Sequence, residues 1–261
     1  MPLHLLLNKV AIITGGTTGI GRAIALEYLR QGCNVAVNHL ALPSDAEHLS
    51  SMLDEAKEIK ANDSEAGELI EVKGDVTESE TGKGLVEEAV KRWGRIDICV
   101  SNAGVCQLTP DLWSSTLNIN LSGAFYTCQA ATRQMASQNP PGGAIIGISS
   151  ISALVGGGLQ THYTPTKAGV LSLMQSLAVA LGKYNIRCNA LLPGTIKTQL
   201  NEEDLNDEGK RKYMEGRIPL GRTGEPKDLA GPAVFLACEE LSGYVNGAQL
   251  LVDGGLFVNL Q

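Results

Sequence analysis

The sequence predicts an α/β fold: one doubly wound domain with a seven-stranded parallel sheet and helices on both faces. Seven short apolar runs alternate with helix-like stretches from one end of the 261 residues to the other. Those runs are continuously hydrophobic instead of alternating, as strands are when helices cover both sides of a parallel sheet. Thirty glycines suit the many tight strand-to-helix turns such a fold needs.

In order along the chain, strands are predicted at Val10–Thr14, Asn34–Asn38, Leu69–Lys73, Ile96–Ser101, Ala144–Ser149, Ile186–Leu192 and Gln249–Asp253. Helices are predicted between them at Ile20–Arg30, Ser44–Ala61 and Ser79–Trp93, with a further one beginning near Thr161. No composition break, repeat or low-complexity linker interrupts the series, so residues 1–261 are expected to form a single domain. One stretch departs from the rhythm, the polar and charged segment at about 195–229 that follows the sixth strand. Ligands of open α/β sheets bind beyond the carboxyl ends of the strands, so a long excursion there is a candidate substrate lid. Its acidic run (Glu202, Glu203, Asp204, Asp207, Glu208) reads as a solvated face.

Composition narrows the function. Hydrophobic residues make up 43% and charged residues 19%, enough for a large core and unlike a disordered chain. A net charge of −7 offers no electrostatic footprint for nucleic acid or an anionic membrane, which points to a small-molecule partner. The six cysteines (33, 99, 106, 128, 188, 238) are scattered without a C-x-x-C pair. They predict buried free thiols in a reducing, cytoplasmic compartment. The four histidines form no H-E-x-x-H, so no metal site is predicted. The opening "MPLHLLLNKVAII" lacks a basic region and a small-residue cleavage site, and no apolar run reaches membrane-spanning length.

Four motifs carry chemistry. In "ITGGTTGIGRAIA", Gly15, Gly19 and Gly21 form a turn between the first strand and the first helix, with Thr17 and Ile20 inside it. Glycines let a backbone approach a pyrophosphate closely, and the helix N-terminus supplies N–H groups and a dipole. This is the placement of a Rossmann-type dinucleotide site. In "KGDVT", Asp75 ends the third strand. Its carboxylate either accepts from an adenine amino group beside the Val76 N–H, or caps the next helix. In "SNAG", Asn102 can tie the central strand ends together, while Ala103 and Gly104 leave room for a flat ring.

The fourth stretch runs from Ser149-Ser150 to Tyr163 and Lys167, the last two sharing a helix face. A phenol ionises near pH 10, so acting as a base near neutrality requires about 4 kcal/mol in favour of the phenolate. One ammonium about 4 Å away, at an effective dielectric of 20, supplies about 4 kcal/mol. A lysine one turn along therefore does most of the work, and a serine hydroxyl orients the reacting oxygen.

Together these motifs resemble the short-chain dehydrogenase/reductase family over essentially the whole chain. That family's T-G-x-x-x-G-x-G is Thr14–Gly21, its N-A-G is Asn102–Gly104, and its Y-x-x-x-K is Tyr163–Lys167. Its serine, thirteen residues before the tyrosine, falls on Ser150. Its helix asparagine matches Asn120 in "NINLSG", with Asn118 the lesser candidate. Its segment over the nicotinamide amide matches Pro193, Gly194, Ile196 and Thr198, and "VDGG" is its C-terminal signature. The resemblance implies that Tyr163 takes a hydroxyl proton as hydride leaves carbon for a nicotinamide. It implies that Lys167 lowers the tyrosine's pKa and binds the nicotinamide ribose, and that Ser150 binds the reacting oxygen. Asn120 would hold a water that links Lys167 to solvent. A homotetramer, with the tail "LFVNLQ" at a contact, is implied as well.

Finer stretches, including "GISSISALVGG", "THYTPTKAG" and "KRKYMEGRIPLGR", resemble a sugar-oxidising group within that family. They imply oxidation of the C1 hydroxyl of L-rhamnose to L-rhamnono-lactone. Ser152, the Gly156–Gln160 turn, the residues after Asn102 and the 195–217 segment would line the pocket. Another sugar or polyol dehydrogenase, and a non-catalytic dinucleotide-binding regulator, stay open as alternatives.

Cofactor choice turns on "NVAVNHLAL". His39 stands where an NAD-preferring relative carries Asp, Leu40 where an NADP-preferring one often carries Arg, and Thr18 where a basic residue is frequent. A neutral imidazole accepts from a ribose hydroxyl, whereas a protonated ring pairs with phosphate. One titratable ring is poor compensation for a dianionic phosphate, so NAD is the expected preference, with NADP possible.

Overall fold

In the computed structural model, residues 4–105, 112–158 and 160–259 are described, the side chain of Ser44 excepted. Seven parallel strands form one sheet in the order β3-β2-β1-β4-β5-β6-β7. They are β1 (Val10–Ile13), β2 (Asn34–His39), β3 (Leu69–Lys73), β4 (Ile98–Ser101), β5 (Gly143–Ile148), β6 (Ile186–Pro193) and β7 (Gln249–Val252). The helices are α1 (Gly19–Arg30), α2 (Ala46–Asn62), α3 (Ser79–Trp93), α4 (Leu112–Leu117), α5 (Gly123–Ser137), α6 (Thr164–Leu181), α7 (Glu202–Asn206), α8 (Glu208–Gly216), α9 (Lys227–Ala237) and α10 (Glu239–Ser242). A π-helical turn at Asn118–Ser122 joins α4 to α5.

The sheet separates two cores. On one side Ile24, Tyr28 and Leu29 of α1 pack with Met52 of α2 and Leu229, Ala233 and Leu236 of α9 against Ile13, Val35 and Val100. On the other, Leu85 of α3, Met135 of α5 and Met174 of α6 pack against Ile12, Cys99, Ile145 and Leu192. Strands buried on both faces leave no solvated position for a polar residue, which is why β1 and β5 read as unbroken apolar runs, while Arg187 and Asn189 of β6 are buried with hydrogen-bond partners.

Strand order reverses between β1, whose chain continues outward to β2 and β3, and β4, whose chain continues the other way. This switch point opens a crevice at the carboxyl ends of β1 and β4. Two expected boundaries shift for identifiable reasons. The fourth strand begins at Ile98, because the Asp97 carboxylate accepts from the Val10 N–H (2.9 Å) and is held by Arg95 (2.7 Å). The helix expected from Thr161 begins at Thr164, with a proline in its first turn, and Tyr163 takes the N-cap position.

Candidate active site

Glycine geometry sets the crevice floor. Gly15 (φ +60°) and Gly19 (φ +54°) lie in the left-handed region, and a methyl on Gly21 would fall on the Gly15 carbonyl oxygen. The Asn102 amide donates to the carbonyls of Thr14 and Gly15 (3.0 Å each). In return the Thr14 hydroxyl accepts from the N–H groups of Asn102 (3.0 Å) and Ala103 (3.1 Å). The expected tie between the central strand ends is therefore present, with Thr14 as its unforeseen half. Thr17 is buried beside this turn, and Ile20 packs into the core beneath it. The N-cap of α1, Thr18, makes no side-chain cap, and no acid occupies the first turn. An uncapped helix end of this kind suits an anion, so the loop fits the pyrophosphate of a dinucleotide.

At the β2 end His39 is buried, and both its ring nitrogens are engaged by the protein. Nδ1 accepts from the Ala41 N–H (3.1 Å), which leaves Nε2 to donate to the carboxylate of Glu71 on β3. This corrects the expectation that His39 offers a nitrogen to a ribose. Asp75 is not the cap of α3, whose N-cap is Glu78. It accepts from the Thr77 N–H (2.9 Å) on an exposed turn, beside a buried Val76.

The reactive groups gather at the end of β5, three strands from β2 in the sheet. Lys167 is buried, its Nζ donates to the Ile148 carbonyl (3.0 Å), and it lies 5.5 Å from the centroid of the Tyr163 ring. The Ser149 hydroxyl donates to the Lys167 carbonyl (2.8 Å), pinning α6 to the end of β5. Ser150 accepts from the Ser152 N–H (3.1 Å), and the Ser152 hydroxyl donates to Gln160 (3.1 Å). The two adjacent serines thus divide their work, one fastening the helix and the other facing the turn that leads to Tyr163.

Asn120 sits in the π-helical turn, a feature frequent at functional sites. Its Oδ1 accepts from the Val105 N–H (2.8 Å), while Nδ2 donates to the Val105 carbonyl and the Thr166 hydroxyl (3.1 Å each). Its side chain is therefore a brace between the "SNAG" loop and α6. Thr166 completes the brace by donating to the Tyr163 carbonyl (2.7 Å). Asn118 opens the same turn.

The segment after β6 closes the crevice. Gly194 packs so closely on Asp253 that a side chain there would overlap it, and Ile196 is buried and bridges to Gly224. Asp253 in turn accepts from the N–H groups of Gly255 (2.9 Å) and Phe257 (2.7 Å), the structural reason for "VDGG". Thr198 stands over Gly19 and caps the turn that follows with Asn201. Next to it the Gln199 amide meets His48 of α2 (2.9 Å), a bridge across the crevice mouth that no motif announced. The candidate lid contains α7 and α8, and its acidic run is exposed as expected. Residues 106–111 (with Cys106), Leu159 of the Gly156–Gln160 turn and the Leu260–Gln261 tail lie outside the described residues.

A family model described as enoyl-(acyl carrier protein) reductase matches residues 15–257. The L-rhamnose-1-dehydrogenase of Scheffersomyces stipitis is 61% identical over 98% of this chain and 99% of its own length. The L-rhamnose 1-dehydrogenase (NAD(P)(+)) of Azotobacter vinelandii is 54% identical over 98% of this chain and 100% of its own. The crystal structure of a short-chain type dehydrogenase/reductase from Mycobacterium marinum matches with a TM-score of 0.87 at 34% identity, covering 97% of each chain. Matched along nearly its whole length, and carrying its motif residues at the carboxyl ends of the same kind of parallel sheet, the chain belongs to the short-chain dehydrogenase/reductase family.

Proposed function

We propose that the protein oxidises the C1 hydroxyl of L-rhamnose to L-rhamnono-lactone. The observation that carries this is the buried Lys167 ammonium held against Tyr163, two strands along the sheet from the glycine loop, in a chain so similar to L-rhamnose dehydrogenases. A nicotinamide dinucleotide held by the Gly15–Gly21 loop, Asn102–Gly104 and the Pro193–Thr198 segment supplies the hydride acceptor. Tyr163 removes the hydroxyl proton. Lys167 stabilises the phenolate through its positive charge, and low dielectric around the buried ammonium strengthens that effect. Ser150 hydrogen-bonds the sugar oxygen as charge changes on it, and Ser152 orients the ring from the same turn. Asn120 acts by position, keeping α6 and the loop at Gly104 in register.

NAD is the preferred acceptor in this reading and NADP the weaker one. The Azotobacter relative's name covers both dinucleotides, which supports use of either. The working unit is a homotetramer, supported by the family and by exposed apolar side chains at Val179, Leu241, Tyr244 and Val258; light scattering checks it. Buried free thiols fit a cytoplasmic setting. Assaying free aldoses and polyols with each dinucleotide tests the substrate: L-rhamnose should give the highest kcat/KM, and absence of its turnover overturns the reading.

A further inference from the structure

We propose that Glu71, on the edge strand β3, is the residue that sets this site against a 2′-phosphate on the dinucleotide. The inference rests on the dinucleotide reading above and deepens it. His39 leaves β2 at the position facing the adenosine ribose in the family pattern, yet its ring offers that ribose nothing. The Ala41 N–H occupies Nδ1, so that nitrogen carries no proton. The remaining N–H points to Glu71. With both ring nitrogens engaged, the imidazole is turned toward β3. What lies behind it is a carboxylate whose side chain is 45% exposed, one imidazole away from the β2 end.

The surrounding charges leave this carboxylate influential. Arg22, the cation of α1 nearest the loop, is committed to His48, Ser51 and Glu55 on α2. Leu40 and Thr18 are uncharged. Lys73 pairs in register with His39 across β2 and β3 and makes no ion pair among the described residues, so it is the competing cation. A single carboxylate and a single ammonium, both on β3, therefore oppose each other. The hydrogen bond to His39 fixes the carboxylate in place, whereas the exposed lysine is mobile on its stem.

Binding is measured directly, by nicotinamide fluorescence, for NADH and NADPH on the full chain at one pH. In the wild type, NADPH should bind more weakly than NADH, and the ratio of their dissociation constants should fall as salt rises from about 0.05 to about 0.5 M, because screening weakens the repulsion. Glu71→Gln keeps an acceptor for the His39 N–H and removes the charge. It should tighten NADPH about fivefold at low salt and change NADH far less, the effect expected for one charge near a phosphate in water-like dielectric. Equal changes for both dinucleotides, or an unmoved ratio, overturn the proposal. If the variant does not fold, the wild-type salt series decides: a ratio that is flat or rises with salt means that Lys73 prevails and Glu71 does not select. A wild type that binds neither dinucleotide overturns the dinucleotide reading itself, a result distinct from the loss of selectivity.

Discussion

Lys167 is fixed from several directions: its Nζ by the Ile148 carbonyl, its own carbonyl by Ser149, and its helix by the Asn120–Thr166 brace. Gly104 lies close beside its ammonium. A methyl there would stand 3.2 Å from Asn120 Oδ1 and 3.3 Å from Lys167 Nζ. Gly104→Ala should therefore lower kcat about tenfold by displacing the ammonium. Its melting temperature should stay close to wild type, since the contact needs only a few tenths of an ångström of give. Steady-state kinetics beside thermal melts separate the two effects. Tyr163→Phe should cost about a thousandfold in kcat, the scale of a general base, while dinucleotide affinity by fluorescence stays near the wild-type value. Retained turnover would mean that another group takes the proton.

Elements hold these residues by pairing segments remote in sequence. The candidate lid leaves β6 at Gly194 and returns to the body at α9, where Arg222 forms a two-pronged pair with Asp228 (2.7 and 3.0 Å). The Arg222 guanidinium, with the Glu225 N–H, holds the Asp228 carboxyl down to about 2. A depressed carboxyl contributes stability above its unfolded pKa, so this clamp is complete above about pH 4 and is lost as pH falls from there toward 2. Asp228→Asn should lower the melting temperature at neutral pH, and the gap from wild type should close as acid titration approaches pH 2. Strand and helix cores were legible in the sequence, since β3 and α3 occupy the very residues their apolar patterns mark. Ends were less so. Asp97 and Pro165 each alter a boundary through hydrogen bonding or ring geometry, which hydrophobic periodicity does not register.

At the scale of the molecule, the parallel sheet puts the described cysteines inside. Cys33, Cys99, Cys128, Cys188 and Cys238 are all buried and free, and burial pushes the Cys188 thiol up to about 12. A thiol reagent at pH 8 should leave these five unmodified in the folded chain, with labelling that tracks global unfolding in denaturant. Mass mapping of early labelling at any of the five would contradict the packing. The sequence alone determined the βα order, the motifs at the strand ends and the likeness to a dehydrogenase family, because these depend on local spacing and on residue types with few substitutes. Only the tertiary structure decided how the side chains at those positions are used. It braced Asn120 between loop and helix, gave Ser149 to α6, and turned His39 away toward Glu71. Each of those outcomes depends on a partner brought close by sheet pairing or helix packing, and a hydrogen bond between residues distant in the chain leaves no period in the sequence.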